Sequence, residues 1–337
     1  MYRIVFFLFL TGFLTTARAV TMGELLQGEA SAAVSYGTND SAKQIIVPFL
    51  PKGLRQGERR PALVLIHGGG WTGGDPSVFY PAARYYALRG LPSFSIGYRL
   101  VGPGTNDPSV VDCLADCRSA MRYLRSHAGE YGIDPDRIAV LGDSAGGHLA
   151  ACLGTIPDSS DAALGSSMAN LMIPCNPIVD MGPGKGNSNP WFRLIQRGDA
   201  MARQPNPATI VPTSDQVTLA KSLSPLDFVS RSSASALLMH GLDDTVVTPD
   251  QSQKFAAALK DAGVSSELIL IPGARHAFIL PRYTATEQQV IDAMIAIDRF
   301  LAGRGYLAGE PTLVPSPLPA WTPKPRPPKA LPTTTPR

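Results

Sequence analysis

The stretch Gly142-Asp143-Ser144-Ala145-Gly146-Gly147 decides how the rest of the chain is interpreted. It follows an apolar run at residues 138–141 and precedes small residues at 148–154, which predicts a strand, a sharp turn and a helix. Glycine at both ends lets the backbone turn tightly, so Ser144 is lifted at the tip of the strand. The following helix directs free N–H groups and its positive dipole end toward the same point. A G-x-S-x-G segment in this setting predicts a nucleophilic serine, although the motif alone is weakly specific because Gly and Ser are common in turns.

Short apolar runs alternate with longer amphipathic stretches through the middle of the chain. The runs predict buried parallel strands at residues 62–66, 91–96, 138–141, 171–175, 236–239 and 267–271. The stretches predict helices near residues 78–89, 110–127, 250–262 and 285–301. This alternation predicts an α/β fold with a mostly parallel central sheet and helices on both faces. Residues 30–36 and 44–49 are predicted to form an antiparallel pair at one edge.

A parallel sheet of this kind carries its active site at the carboxyl ends of the strands, where the connecting loops face one crevice. His67-Gly68-Gly69-Gly70-Trp71 follows the first of the apolar runs. Consecutive glycines leave the backbone free to direct several N–H groups to one place, which is what an oxyanion requires. The alternative is a flexible glycine loop without a catalytic role.

A serine nucleophile needs a base, and the chain has only five histidines. The sequence context makes the other four poor candidates, since they lie in the glycine loop, at the end of a helix, inside the helix after Ser144, or beside an acidic pair: His67, His127, His148 and His240. His276 remains, in a loop directly after the last apolar run. The alternative is a structural loop histidine.

The acid that orients this base should lie on a strand-end loop between the serine and the histidine. Asp244 follows the apolar run at 236–239 and is the preferred candidate. Asp243 is the fallback, because two adjacent carboxylates would not both orient one imidazole. Asp180, after the run at 171–175, is a third option but is better explained as a turn residue.

With these motifs in order, the chain from about residue 30 to 303 resembles the α/β-hydrolase esterases. It is similar to the hormone-sensitive-lipase-like group and to exported acetyl-xylan and feruloyl esterases. The motifs that carry the resemblance are His67-Gly68-Gly69-Gly70-Trp71, Tyr98-Arg99-Leu100, YGIDPDRI at 131–138, GDSAGGHLA at 142–150, Ser224-Pro225-Leu226 and His240-Gly241 followed by Asp244.

The resemblance implies a catalytic triad of Ser144, Asp244 and His276. It also implies an oxyanion hole formed by the backbone N–H groups of Gly69, Gly70 and Ala145. The implied activity is that of a serine carboxylesterase acting on short acyl or aromatic acyl esters, with no metal or cofactor. An amide or peptide hydrolase with the same triad, and a catalytically silent hydrolase fold used for binding, are the alternatives.

The two ends of the chain and one internal segment differ in composition from the predicted domain at residues 20–308. Residues 1–19 have an early cation, an apolar run and an A-x-A end, which predicts a signal peptide and therefore a secreted or periplasmic protein. Residues 182–219 are rich in Gly, Asn and Pro and predict a lid insertion. Trp71 is predicted to bind substrate together with this insertion. Residues 309–337 are rich in proline and predict a disordered, mobile tail.

Composition excludes some classes of partner. A net charge of +3 without a dense basic patch argues against nucleic-acid binding. The expected partner is a small-molecule or carbohydrate-linked ester, with no stable membrane association after removal of the signal peptide. The four cysteines do not have the spacing of a zinc site. In an exported protein they could form two disulfides, and Cys152 could pair with Cys175, but all four are interpreted as core thiols.

Overall fold

The structure is a computed structural model, and it describes residues 18–37, 42–102, 107–183 and 213–323. The strands are β1 (Val20–Thr21), β2 (Val34–Ser35), β3 (Ile45–Phe49), β4 (Arg60–Ile66), β5 (Ser93–Ile96), β6 (Ile133–Asp143), β7 (Leu171–Cys175), β8 (Ser235–Gly241), β9 (Ser266–Ile271) and β10 (Leu313–Val314). The α-helices are α1 (Met22–Gln27), α2 (Tyr80–Leu88), α3 (Val110–Ser126), α4 (Ala128–Tyr131), α5 (Ala145–Thr155), α6 (Asp161–Leu164), α7 (Ser214–Ser222), α8 (Asp250–Asp261) and α9 (Glu287–Gly303).

The central sheet has eight strands within the described residues, in the order β2-β3-β5-β4-β6-β7-β8-β9. Strand β3 is antiparallel to both of its neighbours, and all the other adjacent pairs in this sheet are parallel. The predicted α/β-hydrolase fold is therefore confirmed, including the antiparallel pair at one edge.

The sheet is buried on both faces, which explains why its strands read as continuous apolar runs rather than as an alternating pattern. Along β4, Leu63 and Leu65 pack into one core, and Val64 and Ile66 pack into the other. The first core is completed by α2 and α9, and the second by α3, α5 and α8. The parallel strands therefore end together at one edge of the sheet, held between two packed layers.

Side-chain caps fix where two of the longer helices begin. Ser109 caps α3 and forms a reciprocal capping box with Asp112. Thr286 caps α9 in the same way with Gln289. Each box satisfies backbone donors that a helix leaves free in its first turn, which contributes about 1 kcal/mol per cap. The caps set the positions of helices that cover the sheet near the loops of the site.

The prediction of a disordered tail from residue 309 is wrong for the residues up to 323. Strand β10 pairs in parallel with β1, and the Ser316 hydroxyl accepts a hydrogen bond from the Gly23 N–H. Glu287 accepts hydrogen bonds from the backbone N–H groups of Ser316 and Ala320. Proline-rich composition prevents a segment from forming its own core, but it does not prevent pairing with a domain already folded. We call residues 310–323 the C-terminal strap.

Several predicted features fall on other parts of the chain. Residues 1–17 of the predicted signal peptide and residues 184–212 of the predicted lid insertion lie outside the described residues, as do residues 324–337. Among the described residues, no helix is both long and apolar enough to span a bilayer. All four cysteines are buried thiols in the cores on the two faces of the sheet.

Candidate active site

Ser144 occupies a strained turn between β6 and α5. Its backbone has φ 57° and ψ −120°, a conformation that costs a non-glycine residue about 1–3 kcal/mol. The turn is tight enough to require glycine around it: a Cβ at Gly142 would lie 2.1 Å from the Gly146 carbonyl oxygen, and one at Gly146 would lie 2.0 Å from that of Ile66. The predicted elbow therefore forms, and it holds the serine hydroxyl at the carboxyl end of the sheet.

The three residues predicted as a triad form one hydrogen-bonded chain. His276 Nε2 lies 2.8 Å from Ser144 Oγ, and His276 Nδ1 lies 2.7 Å from Asp244 Oδ2. The alternative acids do not take this place. Asp243 is exposed, and Asp180 accepts a hydrogen bond from the Gly182 N–H in a local turn.

Asp244 is held by contacts on both carboxylate oxygens. Its Oδ1 accepts hydrogen bonds of 2.8 and 2.9 Å from the backbone N–H groups of Val246 and Val247. Its Oδ2 contacts His276 and lies 3.4 Å from His240 Nε2. Burial opposes ionisation, but hydrogen bonds with the two imidazoles outweigh it and hold the pKa of Asp244 well below its usual range. The acid is therefore ionised at neutral pH.

The Asp244 carboxylate affects the pKa of His276. Burial disfavours the charged imidazole, but the hydrogen bond with Asp244 and the negative charges of Asp143 and Asp244 outweigh it. The pKa of His276 is raised as a result. With Nδ1–H donating to the carboxylate, Nε2 is the nitrogen free to accept the Ser144 proton.

The glycine loop lies directly against the elbow. A Cβ at Gly68 would lie 2.6 Å from the Asp143 carbonyl oxygen, and Gly69 and Gly70 have φ values of 118° and 62°. Within the described residues, the N–H groups of Gly69, Gly70 and Ala145 donate to no protein acceptor. Ala145 is the first residue of α5, where a helix leaves its N–H groups free. Gly69 and Gly70 line the same cleft as Ser144, and the oxyanion hole stays a prediction.

A cleft of about 510 Å³ opens over Ser144 and His276. The glycine loop forms one wall, and the other lining residues include Val78, Val246, Leu280, Pro281 and Tyr283. Val246 and Tyr283 are 55% and 40% exposed, so the described rim presents apolar surface to an incoming ligand. This volume is in the range of small-molecule sites.

Trp71 does not line the cleft, and the prediction that it binds substrate is wrong for this geometry. Its side chain is fully buried, and its indole N–H donates to His148 Nδ1 at 3.3 Å. His148 Nε2 in turn bonds the Leu223 carbonyl oxygen at 2.8 Å. Burial lowers the pKa of His148 to about 4, so the ring is neutral and can bridge the two groups. Trp71 is therefore a packing residue beneath the glycine loop.

The remaining histidines have structural surroundings, in agreement with their exclusion as bases. His67 stacks on Tyr98 with ring centroids 4.3 Å apart, and the Tyr98 hydroxyl donates to the His67 carbonyl oxygen. His127 stacks on Tyr123 at the end of α3. His240 is buried behind Asp244.

One residue of the site was missed from the sequence. Asn176 directly follows β7, is fully buried, and donates from Nδ2 to Asp143 Oδ1 at 3.0 Å. Its position is the one signal in the sequence, because Asn176 is the first residue after the apolar run at 171–175, where a parallel strand ends at the edge that carries the site.

Comparisons with known proteins show the family to which the chain belongs. The BD-FAE family model matches residues 49–259, and the dienelactone hydrolase family model matches residues 220–306. Esterase LipQ of Mycobacterium tuberculosis is 28% identical over 79% of this chain and 62% of its own length. The Arabidopsis thaliana protein named "Probable isoprenylcysteine alpha-carbonyl methylesterase ICMEL1" is 27% identical over 72% of this chain and 50% of its own. The chain thus spans about half to three-fifths of these relatives.

A solved structure covers more of the chain. The thermophilic esterase Est2 of Thermogutta terrifontis superposes with a TM-score of 0.69 at 30% identity, over 84% of this chain and 95% of that one. The BD-FAE family model matches more than half of the chain. The Thermogutta terrifontis esterase has the same fold, and nearly its full length is covered by the superposition. The chain therefore belongs to the BD-FAE family and is an α/β-hydrolase of the esterase group.

Proposed function

We propose that this chain is an exported serine carboxylesterase that hydrolyses short acyl, chiefly acetyl, or aromatic acyl esters, including esters on plant cell-wall polysaccharide. The observation that carries the proposal is the chain of hydrogen bonds from Asp244 through His276 to Ser144, beside backbone N–H groups that donate to no acceptor in the described part of the chain. An ester carbonyl bound with its carbon near Ser144 Oγ would have its oxygen among those donors.

The chemistry follows from the positions of these groups. Ser144 Oγ attacks the carbonyl carbon while His276 Nε2 accepts its proton, and Asp244 stabilises the resulting imidazolium. The N–H groups of Gly69, Gly70 and Ala145 bind the oxyanion of the tetrahedral intermediate. Donors of this kind are each worth about 100-fold or more in rate because they are already oriented before charge develops.

The intermediate collapses when His276 returns its proton to the leaving alcohol, and an acyl ester on Ser144 remains. Water then donates a proton to His276 and attacks the acyl carbon, forming a second oxyanion at the same N–H groups. Collapse releases the carboxylic acid and returns the proton to Ser144. Both halves use the same residues, and the sequence of steps requires no metal or cofactor.

The cleft favours a small, neutral acyl group. Among its described lining residues, the only acidic or basic side chains are those of Asp143 and His276, and apart from Ser144 and Tyr283 the other lining residues are apolar or glycine. The Thermogutta terrifontis esterase has been solved with propionate bound and with butyrate bound, which supports short acyl chains for this chain too. The exposed ring of Tyr283 offers a surface for an aromatic acyl group.

A substrate panel tests the proposal. Acetyl, butyryl, octanoyl and feruloyl esters, a butyryl anilide and acetylated xylan are compared on the wild type and on Ser144→Ala. We expect turnover of the short and aromatic acyl esters and a fall on the order of 10⁴-fold or more in the variant. Turnover that survives Ser144→Ala would reject the nucleophile. Preference for the anilide would favour an amide hydrolase.

The charge of the acyl group gives a second test. A succinyl ester matches a butyryl ester in chain length but adds a carboxylate, which would be desolvated in an apolar cleft beside Asp143. We expect kcat/KM at least about 10-fold lower for succinyl than for butyryl, since one unpaired buried charge costs more than 1.4 kcal/mol. Equal rates would contradict the proposed acyl site.

Export is tested by expressing the whole chain and sequencing the amino terminus of the product. Cleavage after Ala19 would leave Val20 as the first residue, and Val20 is also the first residue of β1. An uncleaved product that stays in the cytoplasm would contradict this part of the proposal.

A further inference from the structure

Asn176 lies where the nucleophile strand, its neighbour and the acid strand end together. It follows β7 directly, and its backbone has φ 43°, a left-handed conformation that asparagine tolerates better than most residues. The side chain is fully buried, and the backbone N–H donates to the Met239 carbonyl oxygen of β8 at 2.9 Å. A buried polar side chain in such a backbone is costly unless its hydrogen bonds are made.

The side-chain amide makes one bond to each neighbouring strand end. Its Nδ2 donates to Asp143 Oδ1 at 3.0 Å, and its Oδ1 accepts from the Gly241 N–H at 3.3 Å. These partners determine the orientation of the amide, because a backbone N–H requires the oxygen and a carboxylate requires the nitrogen. Asn176 therefore links the residue before Ser144 to the residue that begins the loop of Asp244.

Further backbone bonds extend this link across the sheet edge. The Ser144 N–H donates to the Cys175 carbonyl oxygen at 2.9 Å on one side. On the other side, the Asp243 N–H donates to the Ala274 carbonyl oxygen at 2.9 Å, two residues before His276. A continuous set of hydrogen bonds thus joins the three loops of the triad, and the Asn176 side chain makes the step from β6 to β8.

We propose that Asn176 is a positioning residue for the esterase reaction, whose amide holds the Asp143–Ser144 turn in register with the Asp244 loop. The inference rests on the function proposed above. It assigns to Asn176 no contact with substrate. Its effect is exerted through the relative positions of Ser144, His276 and Asp244, where a displacement of about 1 Å can cost about 100-fold in rate.

The amide also stabilises the charge of Asp143. Burial raises the pKa of Asp143 to about 6, and the opposing influences are the positive charge on His276 and the hydrogen bond from Asn176. Asp244 and His240 face Asp143 from the acid loop, and the Cys175 thiol is adjacent on β7. Removing the amide should raise the pKa of Asp143 further, so this carboxylate would be neutral at higher pH.

A change in the protonation of Asp143 would change the pKa of His276. The negative charge of Asp143 is one of the influences that raise the pKa of His276. If Asp143 stays protonated near neutral pH, the pKa of His276 falls, and the acid limb of kcat/KM moves to lower pH. A residue that only stabilised the fold would change the amount of active enzyme without moving this limb.

The experiment compares Asn176→Ala, Asn176→Asp and the exchange variant D143N/N176D. The activity of each variant is divided by the amount of serine that paraoxon titrates, since paraoxon phosphorylates the Thermogutta terrifontis esterase. In the exchange variant, the new amide at 143 donates to the new carboxylate at 176, which still accepts from Gly241. In Asn176→Asp alone, two carboxylates face each other. The matched control is Asn170→Ala, which loses a bond to the Ile138 N–H at the opposite end of β7.

We expect Asn176→Ala to lower kcat about 10- to 100-fold per titrated serine, with KM within twofold and the acid limb shifted to lower pH. We expect the exchange variant to be at least 10-fold more active than Asn176→Asp, and Asn170→Ala to match the wild type. If Asn176→Ala does not fold, the inference is tested by the activity of the exchange variant relative to that of Asn176→Asp.

Three results would overturn the inference: a kcat for Asn176→Ala within threefold of the wild type, an unshifted acid limb, or an exchange variant no more active than Asn176→Asp. Each of these results is interpreted only once Ser144→Ala has abolished turnover, so a failure of this inference is distinguishable from a failure of the proposed function. Activity that survives Ser144→Ala would reject the proposed function itself.

Discussion

The imidazole of His240 lies 3.4 Å from Asp244 Oδ2, and both side chains are buried. Its Nδ1 contacts the Ser252 hydroxyl at 2.7 Å, and its Nε2 contacts the Val247 carbonyl oxygen at 2.9 Å. The Val247 carbonyl oxygen can only accept a hydrogen bond, so His240 Nε2 carries the proton. The same nitrogen is the one that lies 3.4 Å from Asp244 Oδ2. Asp244 is thus flanked by two imidazoles, of which only that of His276 reaches the serine.

Replacing Asp244 by Asn should lower kcat by about 10⁴-fold, because the amide can neither hold the required tautomer of His276 nor stabilise the imidazolium. Asp243→Asn is the matched control, since it makes the same change one residue away on an exposed side chain. We expect that control to stay within about threefold of the wild type. Steady-state kinetics on a butyryl ester measure both. Similar losses in the two variants would mean that the acid has been misassigned.

The pH dependence of kcat/KM follows from the raised pKa of His276. The base must be neutral to accept the Ser144 proton, so activity is lost as the pH falls through this pKa, which lies above the usual value of 6.5. Asp244 stays ionised throughout that range because its pKa is lowered. A profile of kcat/KM from pH 5 to 9 therefore should show one acid limb above about 6.5. A limb below pH 6 would show that the carboxylates do not act on His276 as the geometry requires.

Gly146 should not tolerate alanine. The added Cβ would lie 2.0 Å from the Ile66 carbonyl oxygen and 2.6 Å from that of His67, both of them backbone atoms of the adjacent strand end. Relief requires movement of the elbow away from the glycine loop, so we expect a loss of about 3 kcal/mol or more in the free energy of unfolding, together with loss of activity. Gly303→Ala is the control, because a Cβ there meets nothing within 4 Å. Equal melting temperatures for the two variants would contradict the close packing.

The triad and the glycine loop could be predicted because they depend on chain order and on strand ends. Once the apolar runs are recognised as parallel strands, the residues after them must meet at one edge, which places Ser144, Asp244 and His276 together. The apolar runs at residues 138–141, 236–239 and 267–271 were therefore enough to find the three loops that carry these residues.

The direction of individual side chains could not be predicted in the same way. Trp71 is adjacent to the glycine loop in sequence, but at φ 60° its backbone turns and its indole packs in the core against His148. The strap was missed for a related reason, since composition describes what a segment can bury by itself and not what an existing domain can offer it. Asn176 has no motif, and its role depends on two partners far away in sequence.

His148 should make stability depend on pH. Its pKa falls to about 4 in the folded chain, so folding excludes a proton that the unfolded chain binds between about pH 4 and 6.5. The free energy of unfolding should therefore decrease as the pH falls through this range, by up to about 3 kcal/mol from this group. His148→Gln keeps an acceptor for Trp71 and a donor for Leu223 but does not titrate. We expect its melting temperature to fall less between pH 6.5 and 4 than that of the wild type. Parallel curves would contradict the assignment.

The C-terminal strap should contribute stability through Glu287, which lies in the first turn of α9 and is 6% exposed. Burial opposes its ionisation, but the hydrogen bonds with the Ser316 side chain and with the backbone N–H groups of Ala320 and Ser316 outweigh it and lower its pKa. The stabilisation is therefore present above the pKa of the unfolded chain, and it is lost as the pH falls through the lower pKa of the folded chain. Glu287→Gln weakens these charge-assisted bonds, so we expect a loss of about 2 kcal/mol at pH 7.

That loss should shrink toward zero as the pH falls below 4.5 and through the lowered pKa of Glu287, where the wild-type carboxylate becomes protonated. Glu267→Gln is the matched control, because Glu267 is exposed on β9 and should change stability by less than about 0.5 kcal/mol. Thermal unfolding at several pH values measures both variants. A pH-independent difference between Glu287→Gln and the wild type would mean that the strap is held by contacts other than this carboxylate, such as the bond from Trp321 Nε1 to the Ala285 carbonyl oxygen.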